Sequence, residues 1–316
     1  YFCIPEDFCN LPIEENFPSI PSILRARSIE SSLNDVLLEI KKKIQNSKRP
    51  IILVGNLIDR FQLSSKLSSF IEKVKIPFVS MMSGKASIDE SLDEYIGFYD
   101  GNNSDKSVIQ YIESCDCFLL IGTEWCDLNT GAFSAKIPIE SSIKIQLHEA
   151  IIGNAQYNNV EFEDVINGII SFEDDVFKNL PPIQIQREIP EISDYSDSKL
   201  NMKYFYSKMK NFFKPNDIVL FEAGTSLAMN EVRLPKGCSC INQPLWAAIG
   251  YTIPASFGAA MAAPDRRVVL IAGDGAFQMT AQEICQFPRF NLKPVLFIIN
   301  NDGYLIERIL CKDPNY

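Results

Sequence analysis

Three oxygen-bearing positions in the last quarter of the chain have the types and spacing to hold a hard cation. Asp274 lies between Gly273 and Gly275, and, with 24 residues between, Gly275 is followed by Asn300-Asn301-Asp302-Gly303-Tyr304-Leu305-Ile306-Glu307. Asp274 offers carboxylate oxygen, Asn301 an amide oxygen, and the turn at Gly303 can aim a backbone carbonyl inward. Such ligands on one side of a small site suit magnesium, which takes octahedral oxygen coordination and completes its shell with phosphate oxygens and water. Gly275 lets the backbone come close to a phosphate, and the N–H groups that open a following helix favour negative charge. The chemistry within reach is the anchoring of a magnesium–diphosphate group.

The elements that must position these residues are legible on either side. Val268-Val269-Leu270-Ile271-Ala272 precedes the first part and Val295-Leu296-Phe297-Ile298-Ile299 the second. Both runs are short, apolar and bounded by turn residues, as buried parallel strands are. Between them, Gln278 to Phe287 is expected to form a helix ending near Pro288. The whole reads as one βαβ crossover. It carries an acid and an amide to the carboxyl ends of two strands of one sheet, where open α/β folds bind ligands. Asp and Asn also favour ordinary turns, but their pairing across one crossover makes that a poor explanation here.

This pattern resembles the thiamine-diphosphate motif, a GDG followed at a distance by NN. A lone GDG is weak; the strand context, the spacing, the double Asn and the following Gly-Tyr make it specific. The details resemble the pyruvate and indolepyruvate decarboxylase group. Asn-Asn-Asp-Gly-Tyr has no residues inserted before its glycine, Ile306-Glu307 stands where that group has an Ile-Glu pair, and Pro244-Leu245-Trp246-Ala247-Ala248-Ile249-Gly250-Tyr251 matches another of its segments, with Ala247 where Gly is usual. The resemblance implies two doubly wound parallel-sheet α/β domains, a middle domain and an incomplete cofactor-binding domain.

The resemblance also assigns roles. Asp274, Asn301 and the Gly303 carbonyl would ligate Mg2+, with Gly275, Ala276 and Tyr304 beside the cofactor. Ala276 replaces a common Ser, which leaves its backbone N–H available. Gly224 and Thr225, in the turn after the strand Asp217–Phe221, correspond to a phosphate-side contact, although Ala223 replaces a frequent Thr. Ala247 would give a backbone carbonyl to the cofactor's amino group. Ile249 would be the wedge that bends thiamine over itself, making proton removal nearly intramolecular; taken alone it reads as core. Glu307 is the candidate catalytic carboxylate, and taken alone it is a helix-start acid favoured by the dipole. Trp246 either lines the substrate pocket or packs beneath Ile249.

Composition bounds the class. The chain has 316 residues, 46% hydrophobic and 22% charged, with a net charge of −10. Its length allows two ordinary domains, and the charge argues against nucleic acid or an anionic membrane as partner. No apolar stretch reaches spanning length. The nine cysteines are scattered; the C-x-C pairs Cys115/Cys117 and Cys238/Cys240 read as buried free thiols rather than zinc ligands, which fits a reducing, cytoplasmic setting. His148, the single histidine, reads as structural.

Residues 1–180 read as the middle domain with an N-terminal linker, 181–200 as a Pro-, Ser- and Asp-rich linker, and 201–316 as the cofactor domain. In the first unit a helix over Ile29–Gln45, strands at Ile51–Val54, Phe78–Met81, Cys117–Gly122 and Ile143–Leu147, and a helix near Leu63–Val74 predict a parallel sheet. Val54-Gly55-Asn56 lacks the three-glycine dinucleotide fingerprint. Asp100–Asp105 reads as a solvated loop, and Cys126–Gly131 as a loop without chemistry.

As a member of that group, the chain would act with thiamine diphosphate and Mg2+ in converting a 2-oxoacid to an aldehyde and carbon dioxide. The resemblance implies a homodimer or homotetramer when full length. It also implies a first domain carrying a cofactor-activating Glu and a His pair, so the chain alone is expected to be a fragment without activity. A carboligase joining two oxoacids and a non-catalytic remnant remain open alternatives.

Overall fold

The structure, a computed structural model, describes residues 11–12, 25–178, 180–185 and 200–311. The first unit contains α1 (Glu30–Gln45), β1 (Pro50–Val54), α2 (Leu57–Arg60), α3 (Ser64–Val74), β2 (Phe78–Ser80), β3 (Tyr95–Phe98), α4 (Lys106–Glu113), β4 (Cys117–Ile121), β5 (Ser142–Ile145), β6 (Glu149–Ile152), β7 (Ala155–Asn158) and α5 (Phe162–Ile170). Its seven strands run in the order β3-β2-β1-β4-β5-β6-β7. The pairings from β3 across to β5 are parallel, and β5–β6 and β6–β7 are antiparallel.

Both faces of this sheet are buried, so β1 is apolar at every position, yet its side chains still alternate. Ile52 and Val54 pack on one side with Val36, Ile40 and Ile44 of α1 and Val165, Ile166 and Ile169 of α5. Ile51 and Leu53 face the other side, toward Val108, Tyr111 and Ile112 of α4. Each such fully buried aliphatic side chain contributes about 1.5–3 kcal/mol. Gly55, after β1, lies so close to the β4 end that a Cβ would sit 2.0 Å from the Gly122 carbonyl oxygen. Its lack of a side chain thus serves backbone packing.

The second unit contains α6 (Met202–Phe212), β8 (Ile218–Phe221), α7 (Ala223–Ser226), β9 (Ser239–Ile241), α8 (Thr252–Ala262), β10 (Val268–Gly273), α9 (Asp274–Met279), α10 (Gln286–Arg289), β11 (Val295–Ile299) and α11 (Leu305–Cys311). Four parallel strands run in the order β11-β10-β8-β9. Ile218, Leu220, Val268, Leu270 and Ala272 meet Ile253 and Ala260 of α8 on one face. Val219, Phe221, Val269 and Ile271 meet Tyr206, Met209 and Phe213 on the other, in a cluster that also takes in Met82 and Phe98 of the first unit. The two α/β units therefore share apolar core.

A buried ion pair joins the units as well. Lys85 Nζ donates to both Glu90 carboxylate oxygens at 3.0 and 2.9 Å and to the Val232 carbonyl at 2.6 Å. Glu90 Oε2 in turn accepts from the Leu234 N–H at 2.9 Å. Both side chains are almost fully enclosed.

Several expectations need correction. The crossover between β10 and β11 is not one helix over Gln278–Phe287: α9 starts at Asp274, the chain breaks at Thr280 (φ −139°, ψ 27°), and a 3-10 segment over Ala281–Cys285 leads into α10. Pro288 lies inside α10 rather than ending a helix, which a first turn tolerates because its N–H groups have no intrahelical acceptor. Asp100–Asp105 is not a free solvated loop. Asp100, Gly101 and Ser104 are buried, and the Asn102 N–H donates to Ser134 Oγ at 2.8 Å. Burial pushes the Asp100 carboxyl above its ordinary range. Among the described cysteines all are free, and burial raises Cys115 and Cys117 to about 12. His148 is exposed, with Nδ1 2.9 Å from Glu161 Oε2.

Candidate functional site

Parallel pairing of β10 with β11 aligns Gly273 with Ile299, so Asp274 and the Asn300–Gly303 turn leave the sheet side by side. Asp274 Oδ2 accepts the Gly303 N–H at 2.8 Å. One end of the Asn301 amide lies 2.8 Å from the Gly303 carbonyl oxygen and 2.9 Å from Asp274 Oδ1. With its nitrogen there, the amide donates to both and closes the cluster; turned by half a rotation, it brings a third oxygen to the same point. Adjacent ligands of an octahedron with metal–oxygen distances of about 2.0–2.1 Å lie about 2.9 Å apart. The spacing and the hard-oxygen donor set therefore fit magnesium. Among the described residues no group of three or more His, Cys, Asp or Glu side chains could hold a metal; the triad escapes that description because it uses a single carboxylate.

The turn is held open by special backbone. Asp302 has φ +66° and Gly303 φ +115°, and Asp is among the residues that tolerate the left-handed region. Arg308, one turn into α11, reaches back with its guanidinium to the carbonyls of Asn301 and Asp302. The sequence reading passed over Arg308, although a basic residue soon after a turn that exposes carbonyls is a usable signal.

Gly275 is buried in α9, and its missing side chain makes room for Tyr304: a Cβ would meet the ring at 2.8 and 2.9 Å. Beside the close approach to a phosphate expected of it, this glycine therefore has a packing role: the space of its missing side chain holds the ring. Tyr304 Oη donates to Met279 Sδ at 3.4 Å. Ala276 is buried next to Gly275.

The β8 end supplies the neighbouring turn. A Cβ on Gly224 would meet nothing within 4 Å, so this is the open position of α7. Thr225 is buried, and its hydroxyl donates toward the Ile271 and Glu222 carbonyls at 2.8 and 3.0 Å. Its proton is committed to the core, which makes this side chain a brace for the turn.

The segment ahead of α8 is the most exposed apolar part of the site. Trp246 is 80% exposed and Ile249 40%, so Ile249 is not plain core and Trp246 does not pack beneath it. Ala247 adopts φ +48°, the region that favours the glycine usual there. Three side chains hold this segment: Gln243 Oε1 accepts from the Trp246 and Ala248 N–H groups, Thr280 Oγ1 donates to the Gly250 carbonyl at 2.7 Å, and Glu222 Oε2 accepts from Thr252. Thr280 sits at the break after α9, so the piece that starts with Asp274 also ends by tethering Gly250. Sequence reading missed these tethers because each partner lies far along the chain or on an unremarkable polar residue. Glu307 is exposed in the first turn of α11.

The family description "Thiamine pyrophosphate enzyme, central domain" matches residues 37–165, and "Thiamine pyrophosphate enzyme, C-terminal TPP binding domain" matches residues 223–316. The chain is 31% identical to pyruvate decarboxylase isozyme 3 of Saccharomyces cerevisiae, over 98% of this chain and 56% of the relative. It is 31% identical to a pyruvate decarboxylase of Kluyveromyces marxianus over the same shares. An alpha-keto-acid decarboxylase of Mycobacterium leprae is 30% identical over 98% of this chain and 54% of its own length. The chain thus spans little more than half the length of these curated relatives. With its two matched regions, 37–165 and 223–316, together taking in most of its length, the chain belongs to the thiamine pyrophosphate enzyme family.

Proposed function

We propose that the protein carries out the non-oxidative decarboxylation of a 2-oxoacid to an aldehyde and carbon dioxide, with thiamine diphosphate and Mg2+. The observation that carries this reading is the end of the Asn301 amide lying 2.8 Å from the Gly303 carbonyl oxygen and 2.9 Å from Asp274 Oδ1, a spacing that neighbouring ligands around magnesium also have. The relatives' names, pyruvate decarboxylase and alpha-keto-acid decarboxylase, give the substrate class.

Asp274 Oδ1, Asn301 Oδ1 and the Gly303 carbonyl would hold the metal, and the metal the diphosphate. Gly224 and the backbone of Gly275 and Ala276 would border the phosphates, with Tyr304 packed behind Gly275. The Ala247 carbonyl would orient the aminopyrimidine, and Ile249 would support its bent conformation. Bound there, the cofactor supplies a carbon nucleophile and an electron sink for the loss of carbon dioxide. Glu307 would hold and deliver the proton that the product carbon takes up. Residues 1–180 would form the middle domain, 181–200 the linker and 201–316 the cofactor domain, working as a homodimer or homotetramer. Part of that linker, residues 186–199, lies outside the described residues. Among the described residues no helix is long and apolar enough to cross a membrane, and the free thiols suit a reducing compartment such as the cytoplasm.

The test is product analysis of the full-length protein with thiamine diphosphate, Mg2+ and pyruvate, branched-chain or aromatic 2-oxoacids. Aldehyde with stoichiometric carbon dioxide is expected. Acetohydroxyacid as the main product would replace decarboxylation by carboligation, and no product from any 2-oxoacid would remove the reading.

A further inference from the structure

Glu222 is a buried carboxylate at the carboxyl end of β8, 1% exposed, to which the activity described above gives no role. Its two oxygens point to different elements. Oε1 accepts from the Ala223 N–H at 2.9 Å, capping α7. Oε2 accepts from the Thr252 N–H at 3.2 Å and from the Thr252 hydroxyl at 2.6 Å, at the start of α8. Tyr251, the N-cap of α8, provides no side-chain cap, so a residue 30 positions upstream caps that helix in its stead. The carboxylate also lies at the positive end of an eleven-residue helix.

The elements it joins border opposite ends of the candidate cofactor site. α7 packs beside β10, whose end leads into Asp274. Thr252 follows Ile249, Gly250 and Tyr251, and Gly250 bends at φ +83° with its carbonyl held by Thr280. The Ile249 segment is thus fixed from the β10 side by Thr280 and from the β8 side by Glu222.

We propose that Glu222 is a positioning residue that sets Ile249 at the thiamine end of the site relative to the phosphate-side turn Ala223–Ser226. This rests on the thiamine diphosphate reading given above. A carboxylate suits the task because it accepts on both oxygens and has no donor of its own. Glutamine has the same shape, but its NH2 must oppose either the Ala223 N–H or the Thr252 donors, so one tether is broken and a buried donor is left unmet. The Thr252 hydroxyl can turn to accept from that NH2 and the Ala223 N–H cannot, so the amide oxygen keeps the α7 tether beside Gly224 and the α8 tether is the one broken. The metal triad Asp274–Asn301–Gly303 uses neither, so the hold on diphosphate should change little.

The test uses the full-length protein and calorimetric titration with two probes, thiamine diphosphate and inorganic diphosphate, each with saturating Mg2+. For Glu222→Gln, affinity for thiamine diphosphate is expected to fall about tenfold or more while inorganic diphosphate binds within about twofold of wild type. Thr252→Val, which removes one donor, should show the same selective loss to a smaller degree, and Thr252→Ser should restore wild-type affinity. These two variants decide the matter if Glu222→Gln does not fold. Wild-type affinity for thiamine diphosphate in both Glu222→Gln and Thr252→Val would overturn the proposal, and so would an equal loss for both probes, which marks a general structural role. Failure of the wild type to bind thiamine diphosphate would instead overturn the functional reading beneath it.

Discussion

The ring of Tyr304 occupies the space that a side chain on Gly275 would need: a Cβ there would lie 2.8 Å from Cδ1 and 2.9 Å from Cε1. Gly275 follows Asp274, and Tyr304 follows Gly303, so this contact locks together the two halves of the oxygen triad. A glycine in a GDG motif permits close approach to phosphate; here it also seats Tyr304, the residue that follows the Asn300–Gly303 turn.

Replacing Gly275 by Ala should push the ring away and move Gly303 with it. Magnesium-dependent thiamine diphosphate affinity in the full-length protein is expected to fall by about tenfold or more. The double variant Gly275→Ala/Tyr304→Ala, which removes the collision, should recover part of that loss. Calorimetry on the pair checks this, and an additive or larger loss in the double variant would count against the contact as the cause.

Glu307→Gln should bind thiamine diphosphate and Mg2+ as wild type does but lose about a hundredfold or more in turnover. Glutamine keeps the shape and reach of the side chain and cannot exchange a proton. Aldehyde formation and cofactor titration on the same preparation separate the outcomes: unchanged turnover makes Glu307 a helix-start carboxylate, and lost cofactor binding makes it structural.

Breaking the buried Lys85–Glu90 pair from one side should be costly, because the remaining charge stays enclosed between the two units. Lys85→Met is expected to lower stability by about 3–5 kcal/mol, while Lys85→Met/Glu90→Leu, with no charge left, should lose less than the single variant. Urea unfolding at pH 7 measures both.

Asp100 gives a pH-dependent prediction. Burial raises its carboxyl above the ordinary range, against partial compensation from Asn103 and the Gly131 N–H. A folded-state value above the unfolded value, about 3.9, means that the protonated form is favoured by folding. The associated stability is present at low pH and lost as pH rises through the raised value. Relative to Asp100→Asn, which cannot ionise, wild type should therefore lose ground between pH 4 and pH 7. Thermal midpoints of both proteins across that range provide the measurement, and a difference independent of pH would exclude ionisation of Asp100 as its source.

Much of this arrangement is legible in local sequence. The β1, β4 and β10 runs stand out because both faces of a parallel sheet are covered. β11 is as apolar but is an edge strand, half-buried at every position rather than enclosed. α1 shows a regular apolar stripe at Val36, Ile40 and Ile44. The β6–β7 hairpin escapes that reading. It turns at Gly153 with φ +60°, and three of the four residues in Ala155–Asn158 are exposed, so apolar periodicity is missing. β9 is hidden in the Cys238-Ser239-Cys240 pattern, where attention falls on thiols rather than on a three-residue strand. The Asp274–Asn301–Gly303 triad is readable because one crossover carries all of it. Glu222, Thr280 and Gln243 are not, because their roles depend on partners brought in by packing: Thr252 lies 30 residues from Glu222, and Gly250 lies 30 residues from Thr280.

The central claim is that Asp274, Asn301 and the Gly303 carbonyl hold magnesium and, through it, thiamine diphosphate. The most direct measurement is thiamine diphosphate binding to the full-length protein with and without Mg2+, in wild type, Asp274→Ala and Asn301→Ala. Wild type should bind tightly only when Mg2+ is present, and each variant, lacking one ligand of a metal that demands a near-complete octahedron, should lose that magnesium-dependent binding. Wild-type affinity in either variant with Mg2+, or wild-type binding that ignores Mg2+, would contradict the assignment.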